Sequence, residues 1–94
     1  MKRKKRRDLK VGDVVLHFKA ELDKENKTEY YYEVIGIARH TETEEPLVIY
    51  KPLFGLSTEL YARPKHIFLG EVDHIKYPMV KQRYRFEIIE DDVF

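Results

Sequence analysis

Residues 29–54 read EYYYEVIGIARHTETEEPLVIYKPLF, two β-branched and aromatic runs separated by the polar stretch from Arg39 to Pro46. Runs of this length flanking a connector rich in Thr, Glu and Pro predict two adjacent antiparallel strands, a hairpin with polar groups at its tip. The strands are expected over Glu29–Arg39 and from Pro46 or Leu47 to Leu53. Pro52 has no ladder donor and belongs on an edge or near a strand end.

Working outward, the Gly12-Asp13 turn signal leads into an earlier strand expected over Val14–Lys19. Residues 20–28 are charged and carry only Ala20 and Leu22 as apolar groups, which predicts an exposed loop or at most one helical turn. Downstream, Gly55 to Thr58 reads as a turn and Glu59–Arg63 as a short strand ended by Pro64. The segment after Pro64 predicts one helical or 3₁₀ turn over residues 64–68, with Ile67 and Phe68 in the core, because Pro suits a first helical position. Val72–Ile75 and Arg83–Ile89 complete a set of five to six short strands. The expected fold is all-β: a small antiparallel barrel, SH3-like, in a single domain.

Ninety-four residues with 43% hydrophobic content allow one domain and one modest core. Cysteine is absent, which excludes disulfides, thiolate ligands and a thiol nucleophile. Apolar runs are far shorter than the roughly 20 residues that span a bilayer, and no signal-type stretch follows the N-terminus, so a soluble, cytoplasmic protein without membrane contact is expected.

The net charge of +1 conceals an asymmetry. Lys2, Arg3, Lys4, Lys5, Arg6 and Arg7 are six of the 18 basic residues; without them 12 basic face 17 acidic residues, a net of −5. Residues 1–8 therefore read as a disordered basic tail on an acidic domain spanning residues 9–94. Such a tail either neutralises phosphates of RNA or DNA, blind to sequence and weakened by salt, or is a solvated arm that aids solubility or folds back on the domain's acidic surface.

Strand alternation puts Val34, Gly36, Ala38 and His40 on one face of the second strand, and Glu33, Ile35, Ile37 and Arg39 on the other, core-directed face. Arg39, His40, Glu42, Tyr50, Tyr61 and Arg63 form the candidate ligand-binding set, with Arg as fork donor and Tyr as stacking surface for an anionic or planar ligand. The bland alternative is that Arg39 and Glu42 pair to pin the hairpin tip while His40 caps a turn. The run Tyr30-Tyr31-Tyr32 must alternate between faces, leaving at least one Tyr expected in solvent. His17, His40, His66 and His74 are scattered in no metal-ligand pattern, Ser57 lacks a nucleophile elbow, and the glycines form no phosphate loop, so neither metal nor cofactor is indicated.

The ordered pieces His17-Phe18-Lys19, Tyr32-Glu33-Val34-Ile35-Gly36-Ile37-Ala38-Arg39-His40, Glu42-Thr43, Glu45, Leu47-Val48-Ile49-Tyr50, Leu53, Gly55, Arg63-Pro64 and Phe68-Leu69 resemble the bacterial domain-of-unknown-function family 1653. The resemblance runs from about Val14 to Val72, and Arg85-Phe86 is similar to the family's closing Arg-Phe at a longer spacing. This chain departs in its long AELDKENKTEY segment, in Tyr61 where the family usually has Trp, and in Glu44 and Pro46 at the tip. The resemblance implies a small β-rich bacterial domain and no defined activity.

Three functions fit these readings. The first is a non-enzymatic binding module of nucleic-acid or nucleotide metabolism, using the tail and the tip. The second is a small-molecule or peptide-binding accessory domain acting through a protein partner, and the third an enzyme with His40 and Glu42 as acid and base.

Overall fold

In the computed structural model, residues 6–89 are described. Five strands form one antiparallel sheet: β1 (Val14–His17), β2 (Tyr31–Arg39), β3 (Pro46–Pro52), β4 (Tyr61–Pro64) and β5 (Phe86–Ile89), in the order β4-β3-β2-β1-β5. The predicted hairpin is its centre, pairing from Tyr32↔Pro52 to Arg39↔Pro46. Pro52 ends β3 at a position whose N–H is not used, while the Leu53 N–H that follows donates to the Tyr31 carbonyl at 2.9 Å. A turn leads into β1: Asp13 donates its N–H to the Lys10 carbonyl at 3.0 Å, and Gly12 takes a φ of 91° at the position that favours glycine.

Several boundaries differ from the sequence expectation for local reasons. Strand β1 stops at His17 because the Lys19 N–H turns back to donate to His17 Nδ1 at 3.1 Å, starting a 3₁₀ segment over Phe18–Glu21. The charged stretch that follows is more ordered than a loop. A second 3₁₀ segment, Lys24–Tyr30, takes up Glu29 and delays β2 to Tyr31, while Ala20 is buried against Leu16, Tyr31 and Ile89. The strand expected at Val72–Ile75 is reduced to an isolated Glu71↔Tyr84 bridge. There Asp73 Oδ1 accepts from the N–H groups of Ile75 and Lys76 and bends the chain into a turn. The helical turn after Pro64 is present as α1 (Lys65–Phe68); Phe68 is wholly buried, whereas Ile67 is half-buried.

The closed SH3-like barrel is not formed. Among the described residues no ladder joins β4 to β5, and the sheet is open. The Arg85 N–H donates to the Gly70 carbonyl at 2.9 Å just beyond α1, and side chains fill the rest of the seam. Phe68 of α1 stacks on Phe86 of β5 at 4.0 Å with planes 3° apart, and meets Tyr50 of β3 edge-on at 5.2 Å. Across the same seam Arg7 donates to the Leu69 carbonyl at 3.0 Å and the Phe86 carbonyl at 2.9 Å, with its guanidinium 4.0 Å from the Tyr84 ring centroid.

Both faces of the sheet carry apolar packing. One face holds Val15, Val34, Val48, Tyr50, Phe86 and Ile88 with Phe68 above them; the other holds Leu16, Tyr31 and Ile89. A third cluster, Phe18, Val72 and Val80, anchors the C-terminal loops. The expected core face of β2 is corrected by a bulge between Val34 and Gly36. The unpaired Ile35 resets the alternation, so Val34 and Ile37 share the face of Val48, and Gly36 and Ala38 lie opposite. Ile37 runs past the end of the core and is 44% exposed. Of the tyrosine run, Tyr31 is buried and Tyr30 and Tyr32 are half-buried, so the expected solvent-exposed ring is not found.

Candidate functional site: a cationic, aromatic groove

Antiparallel register places alternate residues of neighbouring strands side by side on one face. On the Val48 face the pairs Val15↔Tyr32, His17↔Phe86, Val34↔Tyr50, Val48↔Arg63 and Tyr50↔Tyr61 follow one another across the sheet. Each of β1, β2, β3 and β5 thus supplies one core residue and, two positions away, an aromatic group: Val15 and His17, Val34 and Tyr32, Val48 and Tyr50, Ile88 and Phe86. These groups line a groove of about 330 Å³ together with Lys19, Tyr30 and Arg63.

Its walls are rings held edge to face. Tyr32 meets Tyr50 at 5.4 Å, Tyr50 meets Phe86 at 5.5 Å, and His17 meets Phe86 at 4.7 Å with planes 79° apart. Tyr61 stands 5.6 Å from Tyr50 and extends the aromatic row toward the β4 edge. Such contacts fix ring orientation in addition to burying area. At one end the Tyr30 hydroxyl donates to Asp23 Oδ2 at 3.0 Å, so this phenol is engaged with the 3₁₀ segment.

The electrostatics favour an anion. Arg63 lies with Cζ 5.4 Å from the Phe86 centroid, and among the described residues no carboxylate pairs with it. The lining contains no Asp or Glu. Burial, followed by the positive charges of Arg63, Lys19 and Arg85, pushes His17 down to about 4, so its imidazole is neutral near pH 7. Burial and the neighbouring phenols of Tyr50 and Tyr61 push Tyr32 up, with Arg63 opposing; partial burial and then Glu59 push Tyr61 up. Both phenols therefore keep their protons, and that of Tyr61 is engaged with the Glu59 carboxylate.

The six residues expected to form one site fall into two places. Tyr50, Tyr61 and Arg63 come together on the groove face. Arg39, His40 and Glu42 sit at the hairpin tip, about 13 Å away along β3 at roughly 3.3 Å per residue. There His40 Nδ1 accepts from the N–H groups of Glu42 at 3.1 Å and Thr43 at 3.3 Å, capping the turn. The partner of Arg39 is Glu44, not Glu42, at 4.0 Å, and both side chains are about three-quarters exposed (76% and 77%). A hollow of about 370 Å³ does lie beside them, lined by Ile37, Ala38, Arg39, Glu44 and Pro46, but it has no aromatic wall.

His17, Lys19, Tyr32 and Phe86 were not among the residues singled out for binding. Their signal was present in the period-2 spacing of His17 and Lys19 at a strand end and of Tyr32 and Val34 within β2. Of the basic run, Lys2, Arg3, Lys4 and Lys5 lie outside the described residues. Arg6 forms a two-pronged ion pair with Asp13 at 2.8 and 2.9 Å, and Arg7 spans the seam, so these two guanidinium groups are held on the domain. Among the described residues no group of three or more His, Asp or Glu is placed to hold a metal, and no helix is long and apolar enough to cross a membrane.

Fold and groove together define a small open-sheet β domain with an aromatic, cationic concavity on one face. The family model described as protein of unknown function (DUF1653) matches residues 13–88, and the chain belongs to that family. The match extends beyond Val72 and takes in Arg85-Phe86, which brings the seam and the Phe86 wall of the groove inside the family domain. Neither a search of curated proteins nor one of solved structures finds a match.

Proposed function

We propose that this protein is a non-enzymatic binding module for a planar anion, with a nucleotide, free or as an unstacked unit of RNA or DNA, as the ligand. The observation that carries this reading is the convergence of Tyr32, Tyr50 and Phe86 with Arg63 and Lys19 in a groove whose lining holds no carboxylate. Ring faces and edges accept a base, and cations accept a phosphate. A cage for a cationic ligand would need the opposite charge balance. The groove volume falls at the low end of small-ligand sites, roughly 300–1,000 Å³, which suits one nucleotide and not a duplex. The basic run at residues 2–5 adds attraction for a polyanion without sequence preference.

A second reading, a peptide or protein partner, draws on the loop after β3, where Leu56 is wholly exposed and Leu60 is 56% exposed. An amide-resolved NMR titration with uridine monophosphate, a short RNA and a short DNA separates the two. Shifts centred on His17, Lys19, Tyr32, Tyr50 and Arg63 support the groove. Shifts confined to residues 2–7 reduce the protein to a generic polyanion binder, and no shift at all sends the search to a protein partner.

A further inference from the structure

His17 carries a constraint that the groove's charge and shape alone do not impose. Its Nδ1 accepts the Lys19 N–H at 3.1 Å, and an imidazole nitrogen that accepts has no proton. The proton of the neutral ring is therefore on Nε2. The ring cannot turn over without losing that bond, and it is clamped in place by a stacked contact with Phe18 at 4.6 Å, planes 28° apart, and the edge contact with Phe86 at 4.7 Å.

Nε2 is open. Among the described residues it makes no hydrogen bond, and it is not a buried polar atom without a partner, since Gln82 Oε1 is the one such side-chain atom among them. His17 lines a groove whose cations stand on other strands and segments, Arg63 on β4 and Lys19 on the 3₁₀ segment, and with Nδ1 tied to the Lys19 N–H its Nε2–H is the one ring donor it can offer there. Burial, and after it the positive charges of Arg63, Lys19 and Arg85, hold the imidazole neutral around pH 7, so this arrangement is unchanged there.

We propose that His17 is a specificity-determining residue: a neutral, single-tautomer donor whose Nε2–H reads an acceptor on the ligand's ring while Arg63 and Lys19 hold its anionic group. The ligand class is then a heteroaromatic phosphate with a ring carbonyl or ring nitrogen, such as a nucleotide, in preference to an aryl phosphate without one. This inference rests on the groove reading above and adds to it which edge of the ligand is recognised.

The test compares uridine monophosphate with phenyl phosphate, which has the anion and a ring but no ring acceptor, binding to the whole chain at neutral pH. One neutral hydrogen bond corresponds to a preference of roughly two- to tenfold. The wild type should prefer uridine monophosphate by about that factor. His17→Leu should bring the ratio of the two affinities to about one, whatever it does to either affinity alone, and His17→Gln, whose amide N–H stands near the Nε2 position, should restore part of the preference. Imidazole nitrogen shifts of the free protein should show a proton on Nε2 alone, and the Nε2 signal should move with uridine monophosphate but not with phenyl phosphate. Equal affinity for the two ligands in the wild type, a preference that survives His17→Leu, or a proton on Nδ1 would overturn the role of His17 while leaving the groove intact. If neither ligand shifts a groove residue, the groove reading fails and this inference with it.

Discussion

The hairpin tip and the groove are the two polar regions a reader of this chain would pick out, and they are built in opposite ways. At the tip, Arg39, Glu42 and Glu44 are exposed and His40 half-buried, and all four are close in sequence and bonded to one another or to their own turn. In the groove, His17, Tyr32, Tyr50, Arg63 and Phe86 are scattered over 70 positions yet meet through strand register, with their ring walls packed and their polar ends left open. Density of charged residues along the chain marks a place where strands end. Convergence in space needs the long-range pairs.

The widest gap between the two regions should appear on truncating a groove wall. Phe86→Ala removes a ring stacked on Phe68 inside the core and should cost about 3–5 kcal/mol, read as a shift in the urea midpoint at constant slope. A loss below about 1 kcal/mol would mean that the seam is not packed as described.

Acid sharpens the comparison next. The folded-state value of His17 lies below its ordinary one, so between about pH 6.5 and 4 the unfolded chain binds a proton that the folded chain does not, and stability falls as the pH is lowered through that window. With allowance for partial exposure of the ring, the loss is on the order of 2 kcal/mol. It should be absent in His17→Gln when unfolding is followed at both ends of the window. An unchanged slope in that variant would assign the acid sensitivity to other groups.

Ligand affinity should then divide the two regions cleanly. Arg63→Gln should weaken uridine monophosphate binding by about tenfold, the scale of one charge-assisted hydrogen bond, with little change in melting temperature. Arg39→Gln should leave binding unchanged, and equal losses in the two variants would make the tip part of the site.

The smallest effects belong to the tip. Breaking the Arg39–Glu44 pair with Glu44→Gln should change stability by less than about 0.5 kcal/mol, because both side chains are mostly in water. Glu44 has a φ of 64°, in the left-handed region, and Glu44→Gly should raise stability by about 0.5 kcal/mol through relief of that conformation, partly offset by glycine's chain entropy. Differential scanning calorimetry resolves both.

Much of the fold was legible because hydrophobic alternation and turn residues are local signals. The Tyr31–Arg39 and Pro46–Pro52 hairpin, the stop at Pro64 and the helical turn after it all follow from residues within a few positions of one another. Three features were not local. The bulge at Ile35 reverses the β2 faces without any glycine or proline at Ile35 itself to announce it. The open seam depends on Phe68, Phe86 and Arg7 meeting from three distant segments. The site was half legible: Tyr50, Tyr61 and Arg63 were identified by residue type, but their partners His17 and Phe86 are joined only by the β1–β5 ladder.

Arg7 gives the seam a mechanical character. Its guanidinium holds the carbonyls of Leu69 and Phe86, one on each side of the opening, so it acts as a rivet at the end of the short backbone pairing that runs from Gly70–Arg85 to Val72–Arg83. With the Arg6–Asp13 fork it gives this segment two anchors on the domain, one just ahead of β1 and one on the first residue of β5. The second of these grips the residue whose ring forms the groove wall. One residue, Phe86, thus joins the two: its carbonyl anchors Arg7 and its ring lines the groove.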